Sequence, residues 1–344
     1  MMQLQADDPE ADWTTPGVYD VGAGVYRIPL PLPQDGLRAV NVYAVRDEDG
    51  LTLVDSGWAI TEARDLLEQA VKLLDSSLAG VRRFLVTHVH RDHYTLAMTL
   101  RREFGMRVSL GQGEAGTLQA IRDKGSAPWD TMMSQLRLGG ALDLMQQISQ
   151  IPVEQDLSEW EDPDEWLRAP QEIPFADRVW QVHATPGHTR GHVVFVDPER
   201  DVMFAGDHVL PRITPSIGFE QQTAELPLRD YLDSLKLVRK LPDRRLLPAH
   251  GPVAPSVHAR VDELIEHHAQ RLEAVTKPLA HDAITAFEVA GQLTWTRRQR
   301  PLRDLDPVNQ ALATLETAAH LDVLAERGHV RRLEGPDRLV RYCL

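Results

Sequence analysis

Residues 87–94 read Thr-His-Val-His-Arg-Asp-His-Tyr and place His88, His90, Asp92 and His93 within six positions. The chain has 14 histidines in 344 residues, so this local density stands well above scatter. Imidazole and carboxylate together form a ligand set for zinc and related divalent ions. The spacing also restricts the backbone that carries them. Residues two apart do not share a helical face, so a helical site would favour spacings of three or four. The cluster follows Val81-Arg-Arg-Phe-Leu-Val86, a short apolar run, and reads as a strand feeding a loop that wraps a metal.

Four further segments put the same kinds of group at the end of a short apolar run. Leu53-Val-Asp55 ends in a carboxylate, and Ala184-Thr-Pro-Gly-His188-Thr-Arg-Gly-His192 sets one histidine in a tight turn and another four residues on. Phe204-Ala-Gly-Asp207-His208 ends in an acid followed by an imidazole, and Leu247-Pro-Ala-His250 in an imidazole. Binding groups gather on loops at strand ends because a rigid sheet positions them. Repeated along one chain, the pattern implies a single site assembled from distant segments.

The elements that must hold this site can be read in order. Strand-like alternation over Val18–Ile28 meets a break at Pro29, Pro31 and Pro33. Strands follow at Val40–Val45 and Leu51–Val54, with Asp47-Glu-Asp-Gly50 as the turn between them. A helix over Ala63–Leu74 has its apolar residues at helical spacing, and a second is expected over Leu96–Phe104. Residues 111–170 interrupt this rhythm with helical segments, Leu118–Arg122 and Met132–Ile151, and read as a helical insertion, either a lid over the site or a decoration on the sheet edge. Strands resume at Arg178–Ala184 and continue at His192–Asp197, Val202–Ala205 and Arg245–Ala249. Helices are expected over Pro227–Leu241 and Val257–Val275, the latter with His267 and His268 exposed or half-exposed. Beyond Pro278, two helices (Ala283–Gly291, Pro307–Arg327) and a hairpin (330–342) have the layout of a winged helix. The expected domains are 1–278, carrying the site and the 111–170 insertion, and a winged-helix-like 279–344.

Composition narrows the class of function. A 42% hydrophobic and 26% charged chain is an ordinary globular one, and no apolar run approaches the roughly 18 residues that span a bilayer. The acidic start lacks the basic and apolar parts of a signal peptide, and the single Cys343 excludes a disulfide framework, so the expected location is cytoplasmic, without membrane partners. Net charge is −14, which disfavours binding to phosphate backbones. Residues 280–344 hold nine Lys+Arg against nine Asp+Glu, and Pro307–Ala325 carries Glu316 and Asp322 with no lysine or arginine. Nucleic acid is therefore an unlikely partner for that module. It is expected to pack on the site-bearing domain or to mediate contacts in a homodimer.

In order along the chain, Val54-Asp-Ser-Gly57, Thr87-His-Val-His-Arg-Asp-His93, Thr185-Pro-Gly-His-Thr-Arg-Gly-His192, Gly206-Asp207 and Ala249-His-Gly251 resemble the motifs of the metallo-β-lactamase fold hydrolases. The resemblance spans about residues 17–275 and is specific for fold rather than substrate. It implies an α/β fold, a four-layer αβ/βα sandwich with a two-metal site at one sheet edge. By motif position His88, His90 and His188 would hold one metal, Asp92, His93 and His250 the other, and Asp207 would bridge both. Asp55 would orient the ligand loop without touching metal. Two divalent ions are implied, with Zn2+ the first choice and iron or manganese acceptable to the same ligands. The secreted lactamases usually have a cysteine or histidine where this chain has Asp207. Here it is similar to the glyoxalase II, lactonase and ribonuclease-like branches. The chain also has Tyr94-Thr-Leu-Ala after His93, where several branches have Ala-Gly.

Two ions about 3.5–4 Å apart can share a hydroxide, lower the pKa of water and polarise the bond under attack, with no serine or cysteine nucleophile. Asp92 is expected to take part in proton transfer, and His208 is a candidate to reach the substrate. His192 is weighed equally as structural and catalytic. The expected function is hydrolysis of an ester-like carbonyl in a small molecule, a thioester of acyl-CoA or glutathione type or a lactone. Metal-dependent cleavage of single-stranded RNA is the alternative, with β-lactam hydrolysis as a side activity.

Overall fold

The computed structural model describes residues 2–33, 36–47, 50–124, 130–151, 156–175, 177–280 and 282–344. One sheet takes eight strands in chain order: β1 (Leu4–Ala6), β2 (Val18–Asp20), β3 (Val25–Pro31), β4 (Ala39–Asp47), β5 (Gly50–Val54), β6 (Val81–Val86), β7 (Arg107–Gly111) and β8 (Glu165–Leu167). From β2 to β5 neighbours are antiparallel, and from β5 to β8 they are parallel. Parallel neighbours need a crossover. Helices α1 (Thr61–Leu73) and α2 (Arg91–Phe104) supply the first two, and α3 (Ala115–Lys124), α4 (Asp130–Leu138) and α5 (Leu142–Ser149) lie between β7 and β8.

The second sheet is built from β9 (Gln171–Pro174), β10 (Val179–Ala184), β11 (Val193–Asp197), β12 (Val202–Gly206) and β13 (Arg245–Pro248), side by side in that order. Helix α6 (Pro227–Lys240) crosses from β12 to its parallel neighbour β13, and α7 (Val257–Thr276) follows. The sheets pack face to face through Tyr43, Val54 and Leu85 on one side and Trp180, Phe195 and Phe204 on the other. Leu67, Val71, Leu96 and Leu100 of α1 and α2 cover the outer face of the first sheet. Leu228, Leu235, Val261 and Leu264 of α6 and α7 cover that of the second. This is the four-layer αβ/βα sandwich. Coverage on both faces explains why β4 is apolar and buried at every residue from Ala39 to Val45 except for buried Asn41.

After α7 the chain forms β14 (Ile284–Thr285), α8 (Ala286–Gly291), a small β15 (Thr294–Trp295)–β16 (Arg300–Pro301) pair, α9 (Pro307–Glu326) and the hairpin β17 (Arg331–Glu334)–β18 (Val340–Cys343). Asp306 caps α9 by accepting the Asn309 N–H, with Pro307 at the first helical position. Helix α9 is apolar nearly all round because it has several neighbours. Ala319 and Val323 join the core under α6 and α7, while Ala311 and Leu315 join Met132, Leu136 and Leu144 of α4 and α5. Leu321 and Leu324 pack with α8 and the hairpin.

Several expectations need correction. Strand β3 continues through Pro29 and Pro31, paired with Asn41 and Ala39. Among the described residues β4 is its sheet neighbour beyond Arg27, so an N–H missing from the other side costs no ladder bond there. Strands resume before Arg178: β8 extends the first sheet and β9 starts the second, so the 111–170 segment is not helical throughout. Helix α2 starts at Arg91 instead of Leu96. Residues Met132–Ile151 form two helices, broken at Gly139 and Gly140. His268 is buried, with a relative exposure of 1%. Glu48 and Asp49 of the expected turn, and His281, lie outside the described residues.

Candidate metal centre

Strand β6 ends at Val86, and Thr87 begins the bend that carries the first ligands. Asp55, at the end of β5, accepts the Thr87 N–H at 2.8 Å and the Thr87 hydroxyl at 3.0 Å. His88 and His90 follow in the connection, and His90 is the residue capping α2. Asp92 and His93 therefore sit on the first turn of α2. The remaining groups arrive from the second sheet: His188 from the β10–β11 turn, Asp207 just after β12 and His250 just after β13.

The fold brings these seven residues into two groups. His88, His90, His188 and Asp207 form one, and Asp92, His93 and His250 the other, with the ligand atoms within each group no more than 4.8 Å apart. Asp207 connects them. Its Oδ2 lies 3.4 Å from His188 Nε2, while its Oδ1 lies 3.6 Å from His93 Nε2 and 3.4 Å from His250 Nε2. Asp92 Oδ2 is 3.4 Å from His93 Nε2 and 3.3 Å from His250 Nε2.

The far side of each ring is anchored. His93 Nδ1 bonds Asp55 Oδ2 at 2.9 Å, His188 Nδ1 the Ser216 carbonyl at 2.8 Å and His250 Nδ1 the Ala39 carbonyl at 2.8 Å. His88 Nδ1 is 3.1 Å from the Thr87 hydroxyl. In a neutral ring, donation from Nδ1 fixes the tautomer and leaves the Nε2 lone pair facing inward. His90 is reversed and turns Nδ1 inward, 3.1 Å from His188 Nε2.

His88, His93 and His250 leave Nε2, and Asp207 leaves Oδ1, buried without a hydrogen-bond partner among the described residues. Each orphaned buried group costs about 1–3 kcal/mol, and four of them converge on one space. Nitrogen and carboxylate donors without thiolate suit borderline divalent ions. The residues therefore fit two such ions.

Protonation follows the same logic. Burial drives His88 well below the ordinary histidine range, with the His93 ring adding to the effect. Burial likewise brings His90 down to about 3 and His188 to about 4. These rings are neutral lone-pair donors near neutral pH. At His93 burial acts downward, but the Asp92, Asp55 and Asp207 carboxylates outweigh it and raise the ring well above the ordinary value. The same contest, with Asp207 and Asp92 prevailing, raises His250. At Asp92 burial acts upward, and His93 and His250 outweigh it to hold the carboxyl well below its usual range.

His192 lies outside both groups. Its Nδ1 bonds the Thr185 hydroxyl at 2.8 Å, and its Nε2 accepts the Asp207 N–H at 3.1 Å. It holds the backbone of Asp207. His208 is also outside both groups; its fully buried ring packs edge-on against Tyr231 at 5.3 Å between centroids. Tyr94 is buried and donates its hydroxyl to the Glu161 carbonyl at 2.6 Å, a packing role. Sequence reasoning missed Thr87, Thr185 and Ser216 as supports. The first two precede His88 and His188 by one and three residues, which is a usable signal; Ser216 is distant from any motif and gives none.

A family model described as the metallo-beta-lactamase superfamily matches residues 35–250. The probable metallo-hydrolase YqjP of Bacillus subtilis (strain 168) is 26% identical over 307 residues, covering 87% of this chain and 90% of that protein. A beta-lactamase-like protein 2 homolog of Caenorhabditis elegans is 37% identical over 111 residues, covering 32% of this chain and 35% of that one. Among solved structures, a metallo-beta-lactamase family protein from Thermus thermophilus superposes with a TM-score of 0.76 at 29% identity, covering 94% of this chain and 99% of the other. A beta-lactamase domain protein from Burkholderia ambifaria gives 0.74 at 27% identity, with 98% of each chain covered.

Proposed function

The chain belongs to the metallo-beta-lactamase superfamily and is a metallo-hydrolase, and from that premise we propose that it cuts an ester-like carbonyl, a thioester or a lactone, in a small molecule at a two-ion centre. The observation that carries the two-ion reading is Asp207, whose two carboxylate oxygens face different ligand groups. His88, His90 and His188 would hold one ion, and Asp92, His93 and His250 the other, preferentially as zinc. When bound, such ions supply Lewis-acid polarisation of a carbonyl and acidify water. Asp92, whose Oδ2 faces the His93 and His250 rings of the second group, is the carboxylate we assign to receive a proton from the attacking water. Thr87, Asp55 and His192 keep the ligand loops and Asp207 in register.

A phosphodiester substrate is the less favoured reading. Residues 279–344, which we read as a winged-helix-like domain, have balanced charge, and α9 turns its apolar residues into cores shared with α4–α7. That supports a buttress for the catalytic layers over a nucleic-acid reader. The test is metal analysis together with turnover of an acyl-CoA, lactoylglutathione, an acyl-homoserine lactone, a nitrocefin-type lactam and single-stranded RNA. Hydrolysis of a thioester or lactone, lost in Asp92→Ala, is expected. RNA cleavage alone, lost in the same variant, would overturn the ester reading.

A further inference from the structure

Glu114 is a buried acid that the site does not use as a ligand. It lies in the short Gln112–Glu114 turn between β7 and α3, with no exposed surface. Its Oε1 accepts the Thr189 hydroxyl at 2.5 Å. The backbone N–H groups of Val89 and Gly191 lie close enough to favour its charged form, and its Oε2 is buried without a hydrogen-bond partner among the described residues. Val89 separates the ligands His88 and His90, and Thr189 directly follows the ligand His188. One side chain thus bonds the 188–191 loop and lies against the 88–90 loop, one from each sheet.

The backbones themselves are in contact here. A Cβ at Gly113 would lie 2.6 Å from the Arg190 carbonyl oxygen, and one at Gly191 would lie 2.5 Å from Glu114 Cγ. No side chain fits between the turn and the 189–191 loop. Glu220 approaches the same loop from the segment after Ser216, accepting the Arg190 N–H at 2.7 Å. Ser216 in turn holds His188 Nδ1. Removing a buried acceptor leaves its donor unpaired, so loss of this carboxyl would orphan the Thr189 hydroxyl beside His188.

We propose that Glu114 is a positioning residue for the metal centre, clamping the 88–90 and 188–191 loops so that His88, His90 and His188 converge on one ion. The inference rests on the two-ion reading above. Supports of this kind alter metal affinity by about 10–100-fold when removed. The test is zinc affinity by competition with a chelating dye, with folding followed by circular dichroism. Glu114→Ala is expected to bind one of two zinc ions about 10–100-fold more weakly while remaining folded. Glu114→Gln, which keeps an acceptor oxygen at the same reach, is expected to recover most of that loss. Leu144→Ala, a core truncation in α5, lowers stability without moving zinc affinity and so separates positioning from general loosening. If Glu114→Ala does not fold, Thr189→Val, which removes one bond of the clamp, is expected to weaken the same zinc ion. A folded Glu114→Ala with wild-type affinity for both ions overturns the inference, as does an unaltered Thr189→Val where the alanine variant does not fold. Wild-type protein that takes up no zinc overturns the two-ion reading itself, a separate result.

Discussion

Asp207 divides its carboxylate between two sets of imidazoles, Oδ2 towards His188 and Oδ1 towards His93 and His250. A group so placed has to carry negative charge for two cations to sit close together. Asp207→Asn keeps the shape and removes the charge. It is expected to retain at most one metal per chain by elemental analysis and to lose at least about a hundredfold in kcat/KM, the scale of several kcal/mol of transition-state stabilisation. Retention of two metals with full turnover would contradict the bridging role. Asp55 acts one step back, accepting the Thr87 N–H while holding His93 Nδ1. For Asp55→Ala, a loss of about 10–100-fold in metal affinity is expected, greatest for the ion on the His93 side, measured by chelator competition.

At the scale of elements, ligands sit where strands end and helices start. Helix α2 begins one residue after His90, so Asp92 and His93 are on its first turn, and the Asp55–His93 bond ties that turn to β5. The β7–α3 turn meets the β10–β11 loop backbone to backbone, and Gly113 and Gly191 both permit it. Gly191→Ala is expected to destabilise by about 1–3 kcal/mol through overpacking, read as a lower urea midpoint with the m-value unchanged. An unchanged midpoint would mean that the two loops separate at no cost.

For the molecule as a whole, α9 is the element on which the C-terminal unit and the sandwich depend jointly. A chain truncated after residue 278 would uncover the apolar side chains of α4–α7 that α9 covers. It is expected to aggregate or to bind a hydrophobic dye; a soluble, cooperatively melting 1–278 would show that the sandwich is sufficient alone. The same interface makes stability pH-dependent. His320 donates Nδ1–H to the Glu316 carbonyl at 2.7 Å, which leaves its Nε2 to accept from His268 Nδ1 at 3.1 Å. Burial brings His320 down to about 3 and His268 well below its ordinary value of 6.5. Between 6.5 and about 3 the unfolded chain therefore binds more protons than the folded one. Stability from this pair is complete above 6.5 and is lost progressively as pH falls through that window. In metal-free protein the urea midpoint is expected to fall from about pH 7.5 to about pH 5, less steeply in His320→Gln. A slope unaffected by that substitution would assign the acid sensitivity to other groups.

Much of the centre was legible in the sequence because its chemistry is local: His88, His90, Asp92 and His93 are near neighbours, and Asp55, His188, Asp207 and His250 each end a recognisable strand. The apolar periodicity of the strands and helices reports burial on one face or two, while the four-layer sandwich was what the resemblance to the metallo-β-lactamase fold implied. What the sequence did not carry was contact between distant segments. Short strands such as Glu165–Leu167 hold too few residues to show an alternation and become strands beside β7. His268 looked exposed because its partner, His320, lies 52 residues away on α9. The anchoring of His188 by Ser216 and the clamp at Glu114 exist only once two sheets bring their loops together. Residue types and spacing determined which atoms could hold a metal. Tertiary packing decided which lone pairs face inward, because that depends on where each ring's other nitrogen finds its partner.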